Sequence, residues 1–261
     1  MGDRLHSIEV RDISKSFIKE KSIGKLIRHP FKKEIICALN CVSLTVKKGE
    51  FFGLLGTNGA GKTTLLKILS TLIIPDSGTV FVNGYDVVNQ EADVKRQIGL
   101  IHSDERSFFW RLTGKQNLAF FASLYGLEGK AAKEKIDELL TLVDLYDARN
   151  SRFDGYSSGM KHRLSIARGL LNNPSILLVD ELTTGIDPVG AMKIRDFLKQ
   201  LSKKMGKTIL LTTHDMHEAE ELCDRIAILN KGEIKAIGTA SEIKKIAKEK
   251  TLEKAFKKLV S

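Results

Sequence analysis

Residues 56–63 constrain this chain of 261 residues more than any other stretch, because they read Gly-Thr-Asn-Gly-Ala-Gly-Lys-Thr. An apolar run, Phe51–Leu55, precedes them, and residues 63–72 have the pattern of a helix. Glycines let such a loop curl until its N–H groups converge on phosphate oxygens, and the following helix adds its positive dipole end. The spacing G-x-x-x-x-G-K-[ST] between a strand and a helix therefore predicts a phosphate-binding loop.

The residue types within this loop predict separate tasks. Lys62 is expected to reach the β- and γ-phosphates of a nucleotide, and the Thr63 hydroxyl is expected to bind Mg²⁺. The candidate nucleotide-binding residues of the loop are Gly56, Thr57, Asn58, Gly59, Ala60, Gly61, Lys62, Thr63 and Thr64. The loop by itself leaves kinases, GTPases and ATPases open.

One stretch near the C-terminus bears on the GTPase alternative. Asn230-Lys231-Gly232-Glu233 is close to the guanine-binding pattern N-K-x-D, but its last residue is Glu233. Residues 230–232 also lie between two β-like runs, and their glycine suits a three-residue hairpin loop. We favour the hairpin interpretation.

A second constraint comes from the end of a buried strand. The apolar run at 176–179 leads directly into Asp180 and Glu181. An acid delivered beside a phosphate loop would hold the Mg²⁺ shell, which is the role predicted for Asp180. Glu181 is then placed to act as general base on an attacking water. The alternative is a strand that ends in ordinary surface acids.

Strand and helix patterns alternate along much of the chain. Apolar strand runs are predicted at 79–82, 98–102, 175–179, 208–213 and 225–229, and further strands at 7–17 and 35–46. Helices at 188–205 and 215–224 separate the later runs, which favours a parallel sheet with helices on both faces. Residues 105–172 lack a strong strand, and they are predicted to be a helical subdomain inserted between two strands.

The charge of the chain is concentrated in two segments. There are 42 Lys and Arg against 32 Asp and Glu, a formal net charge of +10 that invites nucleic acid as a partner. Residues 19–34 and 241–261 each carry +4, which leaves +2 for the rest. In the tail, Ile243, Ile246, Ala247, Leu252, Phe256 and Leu259 recur at roughly helical spacing, so one face is predicted to pack.

Three further motifs complete an ordered set. They are Tyr156-Ser157-Ser158-Gly159-Met160, Gly185-Ile186-Asp187-Pro188 and Thr212-Thr213-His214-Asp215. Together with the phosphate loop and the acidic strand end, this set resembles ATP-binding cassette (ABC) ATPases, the nucleotide-binding subunits of ABC transporters. The resemblance runs from about residue 7 to about residue 240, and it is to export-type members that move drugs, polysaccharides or ions.

The resemblance implies an architecture and a function. The expected fold is an α/β P-loop NTPase (RecA-like) core with an N-terminal antiparallel β-subdomain and an inserted helical subdomain. Residues 1–240 would form one cassette with a basic insertion at 19–34, followed by a basic helical tail at 241–261. Such a subunit binds ATP and Mg²⁺, hydrolyses ATP in a dimer with a second ATPase subunit, and drives a separate membrane permease.

The resemblance also implies roles for single residues. Ser157 and Gly159 would bind the γ-phosphate of ATP held by the second subunit, and Asp187 would cross the dimer interface. His214 would contact the γ-phosphate and join Glu181 and Lys62 as a catalytic residue. Phe17 lies where this family stacks an aromatic ring on adenine, although an aromatic residue at a strand end is as often core.

This sequence departs from the family pattern at several positions. Thr57 and Leu182 replace two usual prolines, and neither position supplies a ligand. The usual glutamine of the Q-loop is missing, so Ser103, Asp104 or neither residue fills that role.

The remaining expectations concern the surroundings of the chain. No run approaches the length of about 18 apolar residues that crosses a membrane, and the first residues lack the apolar core of a signal peptide. We therefore expect a cytoplasmic protein on the inner face of the cell membrane, with anionic lipid or the permease as candidate contacts of the basic segments. The alternative is a soluble ABC ATPase that acts on nucleic acid or ribosomes.

Overall fold

The computed structural model describes residues 6–19, 34–102 and 105–261, and its N-terminal part is an antiparallel sheet. The strand order of this sheet is β2-β1-β4-β5. Its strands are β1 (His6–Lys19), β2 (Glu34–Lys47), β4 (Ser77–Val82) and β5 (Tyr85–Asp86). Most of the basic segment 19–34 lies outside the described residues.

The second sheet carries the phosphate loop. Its order is β10-β9-β3-β8-β7-β6, and all neighbours are parallel except β10 and β9. The strands are β3 (Phe51–Leu55), β6 (Ile98–His102), β7 (Ile176–Asp180), β8 (Thr208–Thr213), β9 (Arg225–Asn230) and β10 (Glu233–Gly238). The predicted P-loop NTPase fold, with its antiparallel subdomain, is confirmed.

Helices cover both faces of the parallel sheet. They are α1 (Lys62–Leu69), α2 (Glu91–Gln97), α3 (Gly114–Leu124), α4 (Gly129–Leu142), α5 (Ser158–Leu170), α6 (Pro188–Lys203), α7 (Met216–Leu222), α8 (Ala240–Ala247) and α9 (Leu252–Val260). No helix within the described ranges is long and apolar enough to cross a membrane.

The apolar run of β3 shows why this sheet is covered on both sides. Phe51 packs in the cluster beneath helices α3, α4 and α5, whereas Phe52 packs in the cluster between the two sheets and α1. Successive strand residues point to opposite faces, so a strand that is buried on both faces needs a continuous apolar sequence.

Helices α3, α4 and α5 lie between β6 and β7 in the chain, within the stretch predicted to be helical. Helix α5 lies very close to β6, because a Cβ built on Gly99 would stand 2.1 Å from the Gly169 carbonyl oxygen. Glycine at both positions permits this approach of α5 to β6.

The C-terminal tail packs on the parallel sheet through the predicted face. Ile243, Leu252 and Phe256 are buried in a cluster with Leu55 and Ile228. The assignment of Ile246 to that face was wrong, because its side chain is 57% exposed. The left-handed residue Lys248 ends α8 and turns the chain, so the helical spacing does not continue from one helix to the next.

The hairpin predicted at residues 230–232 exists, but its loop is shorter than expected. Asn230 pairs with Glu233, so Lys231 and Gly232 alone form the turn, with φ of 48° and 79°. Positive φ at both central residues is the geometry of a type I′ turn, whose twist matches that of the flanking strands.

Candidate active site

The loop between β3 and α1 has the backbone that phosphate binding requires. Gly59 and Gly61 adopt φ of 79° and 110°, values that favour glycine. A Cβ on Gly61 would also stand 2.4 Å from the carbonyl oxygen of Ala38, so no side chain fits there. Helix α1 begins at Lys62 and directs its N-terminus toward the loop.

Lys62 is held at the centre of this loop. Its side chain is only 4% exposed, and its Nζ donates to the carbonyl oxygens of Gly56 at 2.8 Å and Thr57 at 3.2 Å. The same Nζ lies 3.2 Å from Glu181 Oε1. The ammonium group therefore joins the loop to the acidic end of β7.

Asp180 lies at the carboxyl end of β7, where it meets α1. Thr63 Oγ1 donates to Asp180 Oδ2 at 3.3 Å, and Thr212 Oγ1 donates to the other carboxylate oxygen. Both carboxylate oxygens are thus oriented by threonine hydroxyls. The sequence analysis gave Thr212 no role, and only the pairing of β7 with β8 brings it to this site.

Glu181 brings the predicted catalytic residues together. His214 Nδ1 lies 3.3 Å from Glu181 Oε1, the same oxygen that faces Lys62 Nζ. Glu181 has φ of 46°, a conformation that non-glycine residues seldom adopt, and its N–H donates to the Thr212 carbonyl oxygen. Such strain persists only where the surrounding structure holds it, and it is typical of active sites.

Lys62, Thr63, Asp180 and Glu181 line one cavity of about 680 Å³, a volume within the range of small-molecule sites. Its polar wall includes Asn58, Gly59, Gly61, Lys62, Thr63, Thr64, Asp180 and Glu181. An apolar wall is formed by Ile36, Cys37, Ala38 and Leu72. These four residues were not predicted as site residues, because nothing in their pattern distinguishes them from ordinary core and surface positions.

Phe17 is close to this cavity but does not line it. It pairs with Ile36 across β1 and β2, and its side chain is 38% exposed. Directly opposed residues of an antiparallel pair have side chains on the same face. The Phe17 ring therefore lies on the face of the sheet to which Ile36 contributes.

The remaining predicted site residues form a second, separate cleft. Ser157, Gly159 and Asp187 line a cavity of about 440 Å³, together with Arg163 and Lys193. Ser157 caps α5 by accepting a hydrogen bond from the Met160 N–H, and Asp187 caps α6 by accepting one from the Gly190 N–H. Two helix N-termini and two cationic side chains make this cleft suitable for an anion.

Tyr156 directly precedes Ser157 of this cleft, and its side chain holds the chain in place there. Its hydroxyl donates to the Ala148 carbonyl oxygen at 2.8 Å, and burial raises its pKa above the ordinary value. The start of α5 is thereby tied to the loop that follows α4.

Comparison with known proteins decides the family. Residues 39–184 match the protein family described as ABC transporter. The chain belongs to the ABC transporter family. It is an ATP-binding subunit of that family, and its enzymatic activity is ATP hydrolysis, in agreement with the resemblance found in the sequence.

Two curated relatives illustrate the similarity. The chain is 42% identical over 203 residues to the ABC transporter ATP-binding protein NatA of Bacillus subtilis, a match that covers 78% of this chain and 82% of NatA. It is 44% identical over 218 residues to the doxorubicin resistance ATP-binding protein DrrA of Mycobacterium tuberculosis. That match covers 84% of this chain and 65% of DrrA, just under two thirds of its length.

Solved ABC cassettes have the same fold. One is a dimeric ATP-binding cassette in a post-hydrolysis state with ADP and Pi, at 26% identity and a TM-score of 0.74, covering 89% of this chain and 98% of that one. Another is an ATP-binding subunit of an ABC transporter, at 28% identity and a TM-score of 0.78. That match covers 98% of this chain and 99% of the other chain. The comparisons give no support to an ATPase that acts on nucleic acid or ribosomes.

The Q-loop positions of this ABC cassette, Ser103 and Asp104, lie outside the described residues. Their neighbour His102 lines the first cavity, and its carbonyl oxygen accepts a hydrogen bond from Ser165 Oγ of α5 at 2.9 Å. The segment that precedes the Q-loop is thus linked to the helix that begins at the second cleft.

Proposed function

We propose that this subunit powers export through a separate membrane permease, from the cytoplasmic face of the membrane. DrrA is named for doxorubicin resistance, and LnrL of Bacillus subtilis, 41% identical over 202 residues, for linearmycin resistance. A relative named for methionine import is less similar, at 35% identity. The sequence of the motif at Tyr156–Met160 and the basic segment 19–34 also resemble export-type members of the family, which favours export. Residues 1–240 would form the cassette and 241–261 its tail.

In the proposed reaction, ATP changes the partners of Glu181. One carboxylate oxygen now faces both Lys62 Nζ and His214 Nδ1. When phosphate oxygens become the partners of Lys62 and His214, the Glu181 carboxylate is released from both contacts. Glu181 is then available to a water that attacks the γ-phosphate, while Lys62 and His214 stabilise the charge on the transferred group.

Magnesium is the metal that suits the end of β7. Thr63 and Asp180 offer a hydroxyl and a carboxylate within 3.3 Å of each other, and Mg²⁺ prefers such oxygen ligands. Bound there, the ion would neutralise charge that develops on the phosphates. Thr212 would keep Asp180 oriented toward it.

The proposed catalytic unit is a dimer, in which each ATP is held between two copies. The observation that carries this proposal is the separation of the site residues into two clefts, one with Lys62 and Glu181 and the other with Ser157 and Gly159. A γ-phosphate in the first cleft would present its anionic oxygens to the partner's second cleft. Asp187 would lie at that contact.

Complementation between two inactive variants tests this arrangement. Lys62→Ala removes the phosphate-loop cation, and Ser157→Arg fills the second cleft, so each is expected to be inactive alone. Mixed dimers would contain one intact composite site, and we expect recovery of up to about a quarter of the wild-type ATPase rate. Ser151→Arg, at an exposed position, is the control for charge and size. A mixture no more active than its components would contradict the shared site.

Phe17 is proposed to contact the adenine ring from a position beside Ile36 of the apolar wall. It lies beside Ile36 on the same face, and an aromatic side chain can stack on a nucleotide base. Lys15 Nζ stands 5.6 Å from the centre of this ring and leaves it accessible.

Anionic lipid is the proposed contact of the exposed lysines of the tail. Lys250, Lys254 and Lys257 project from a tail whose apolar face is buried, so deleting the tail would expose core and confuse the result. Replacing these three lysines by glutamine is expected to reduce flotation with anionic vesicles severalfold. Lys130, Lys133 and Lys135→Gln on α4 serve as the control. Retention that is equal in neutral and anionic vesicles would contradict lipid headgroups as the partner.

A further inference from the structure

The turn between β9 and β10 contacts both segments that carry the walls of the first cavity, the phosphate loop and β2. The Gly232 N–H donates to the carbonyl oxygen of Ala60 in the phosphate loop at 2.9 Å. The Gly232 carbonyl oxygen accepts from the Asn40 N–H of β2 at 2.8 Å. One residue therefore bridges the phosphate loop and the strand whose residues 36–38 line the apolar wall.

A side-chain contact reinforces this bridge. Asn40 Nδ2 donates to Glu233 Oε1 at 2.8 Å, next to the turn. Hydrogen bonds from Lys235 and Asn40 hold the pKa of the Glu233 carboxyl below its ordinary value, so this acceptor is ionised at neutral pH. Charge-assisted hydrogen bonds of this kind are stronger than neutral ones.

The approach of the turn to β2 is too close for a side chain. A Cβ on Gly232 would lie 2.9 Å from the Ala38 carbonyl oxygen and 3.1 Å from the Leu39 Cα. Only backbone surrounds this position on that side, and backbone cannot rotate away as the end of a flexible side chain can. Any residue but glycine would push β2 and the phosphate loop apart.

We propose that the Lys231–Gly232 turn is a positioning element that sets the spacing between β2, whose residues 36–38 line the apolar wall, and the phosphate loop. A nucleotide touches both walls at once, so its affinity depends on their separation to within a fraction of an ångström. A ligand that contains only phosphates touches the loop alone and does not depend on that spacing. The proposal rests on the ATP site proposed above, and it assigns a function to the Asn230–Glu233 stretch that does not involve guanine.

Comparison of ATP with inorganic tripolyphosphate as ligands of the full chain tests the proposal. Gly232→Ala is expected to weaken ATP binding roughly tenfold and to leave tripolyphosphate affinity within about a factor of two. Gly206→Ala is the matched control, since Gly206 also has positive φ, at 63°, but no atom would lie within 4 Å of its Cβ. The control accounts for the cost of the left-handed backbone alone.

A milder variant keeps the test decisive if Gly232→Ala does not fold. Asn40→Ala removes the hydrogen bond to Glu233 at an exposed position. We expect it to lower the affinity for ATP about threefold and to leave the affinity for tripolyphosphate unchanged. Asn89→Ala, also exposed, is its control. If these variants lose equal affinity for ATP and for tripolyphosphate, or lose affinity for neither ligand, the proposal is overturned. Failure of the wild-type chain to bind either ligand would instead contradict the ATP site itself.

Discussion

Glu181→Gln is expected to reduce ATP turnover by about 10²- to 10⁴-fold while ATP binding persists. Glutamine keeps the size of the side chain and its hydrogen bonds, but it cannot accept the proton of the attacking water. Because the γ-phosphate would stay in place, dimers should accumulate with ATP and Mg²⁺. Phosphate release measures turnover, and size-exclusion chromatography with and without ATP measures the dimer.

The same substitution at an unrelated position provides the control. Glu253 is exposed near the start of α9, and Glu253→Gln is expected to leave both turnover and dimerisation unchanged. Substantial hydrolysis by the Glu181→Gln chain would reject Glu181 as the main base. Chelation of Mg²⁺ should abolish the dimer of this variant if Thr63 and Asp180 hold the ion.

Lys62→Ala is expected to weaken ATP binding by about two orders of magnitude, because the loop loses the ammonium group that lies among its carbonyl oxygens. The substitution also removes the Lys62 hydrogen bonds to the Gly56 and Thr57 carbonyl oxygens, of which the Thr57 oxygen keeps the Ala60 N–H as a donor, so the loop itself can rearrange. Lys62→Met keeps the apolar stem and removes the ammonium group with both its charge and its N–H donors, so it separates the loss of the ammonium group from the loss of packing. Isothermal titration with ATP measures the affinity.

Lys130→Ala is the control for this substitution, because the Lys130 side chain is 89% exposed and remote from the loop in sequence. It should leave the ATP affinity unchanged. An unchanged ATP affinity in both Lys62 variants would count against residues 56–63 as the phosphate site.

Most of the fold was predictable because its signals are local. The run Phe51–Leu55, the glycines of the loop and the helix after it follow from residue type and spacing alone. The strand at 176–180 and the acids at its end follow in the same way. The prediction of a hairpin at Lys231 was correct, but the length of its loop was not. That length depends on the pairing of Asn230 with Glu233, which the sequence does not display.

The candidate site was only partly predictable for a related reason. The residues of the phosphate loop lie together in sequence, whereas Ile36 reaches the site from β2, Thr212 from β8 and Leu72 from the turn after α1. None of these has a chemical type that marks it as functional. The prediction for Ile246 was wrong for the opposite reason, because this residue fits the apolar spacing of the tail and yet its side chain, in α8 before the turn at Lys248, is exposed.

The sequence by itself determined the class of fold, the phosphate loop and the identity of the acids at the end of β7, since each depends on residues that are neighbours in the chain. The tertiary structure alone decided that Lys62 and His214 both contact the same carboxylate oxygen of Glu181. It also placed Ser157 and Asp187 in a different cleft. It also decided that Gly232 joins the phosphate loop to β2. These relations depend on the order of strands in the sheets, and strand order is set by packing among segments far apart in the chain.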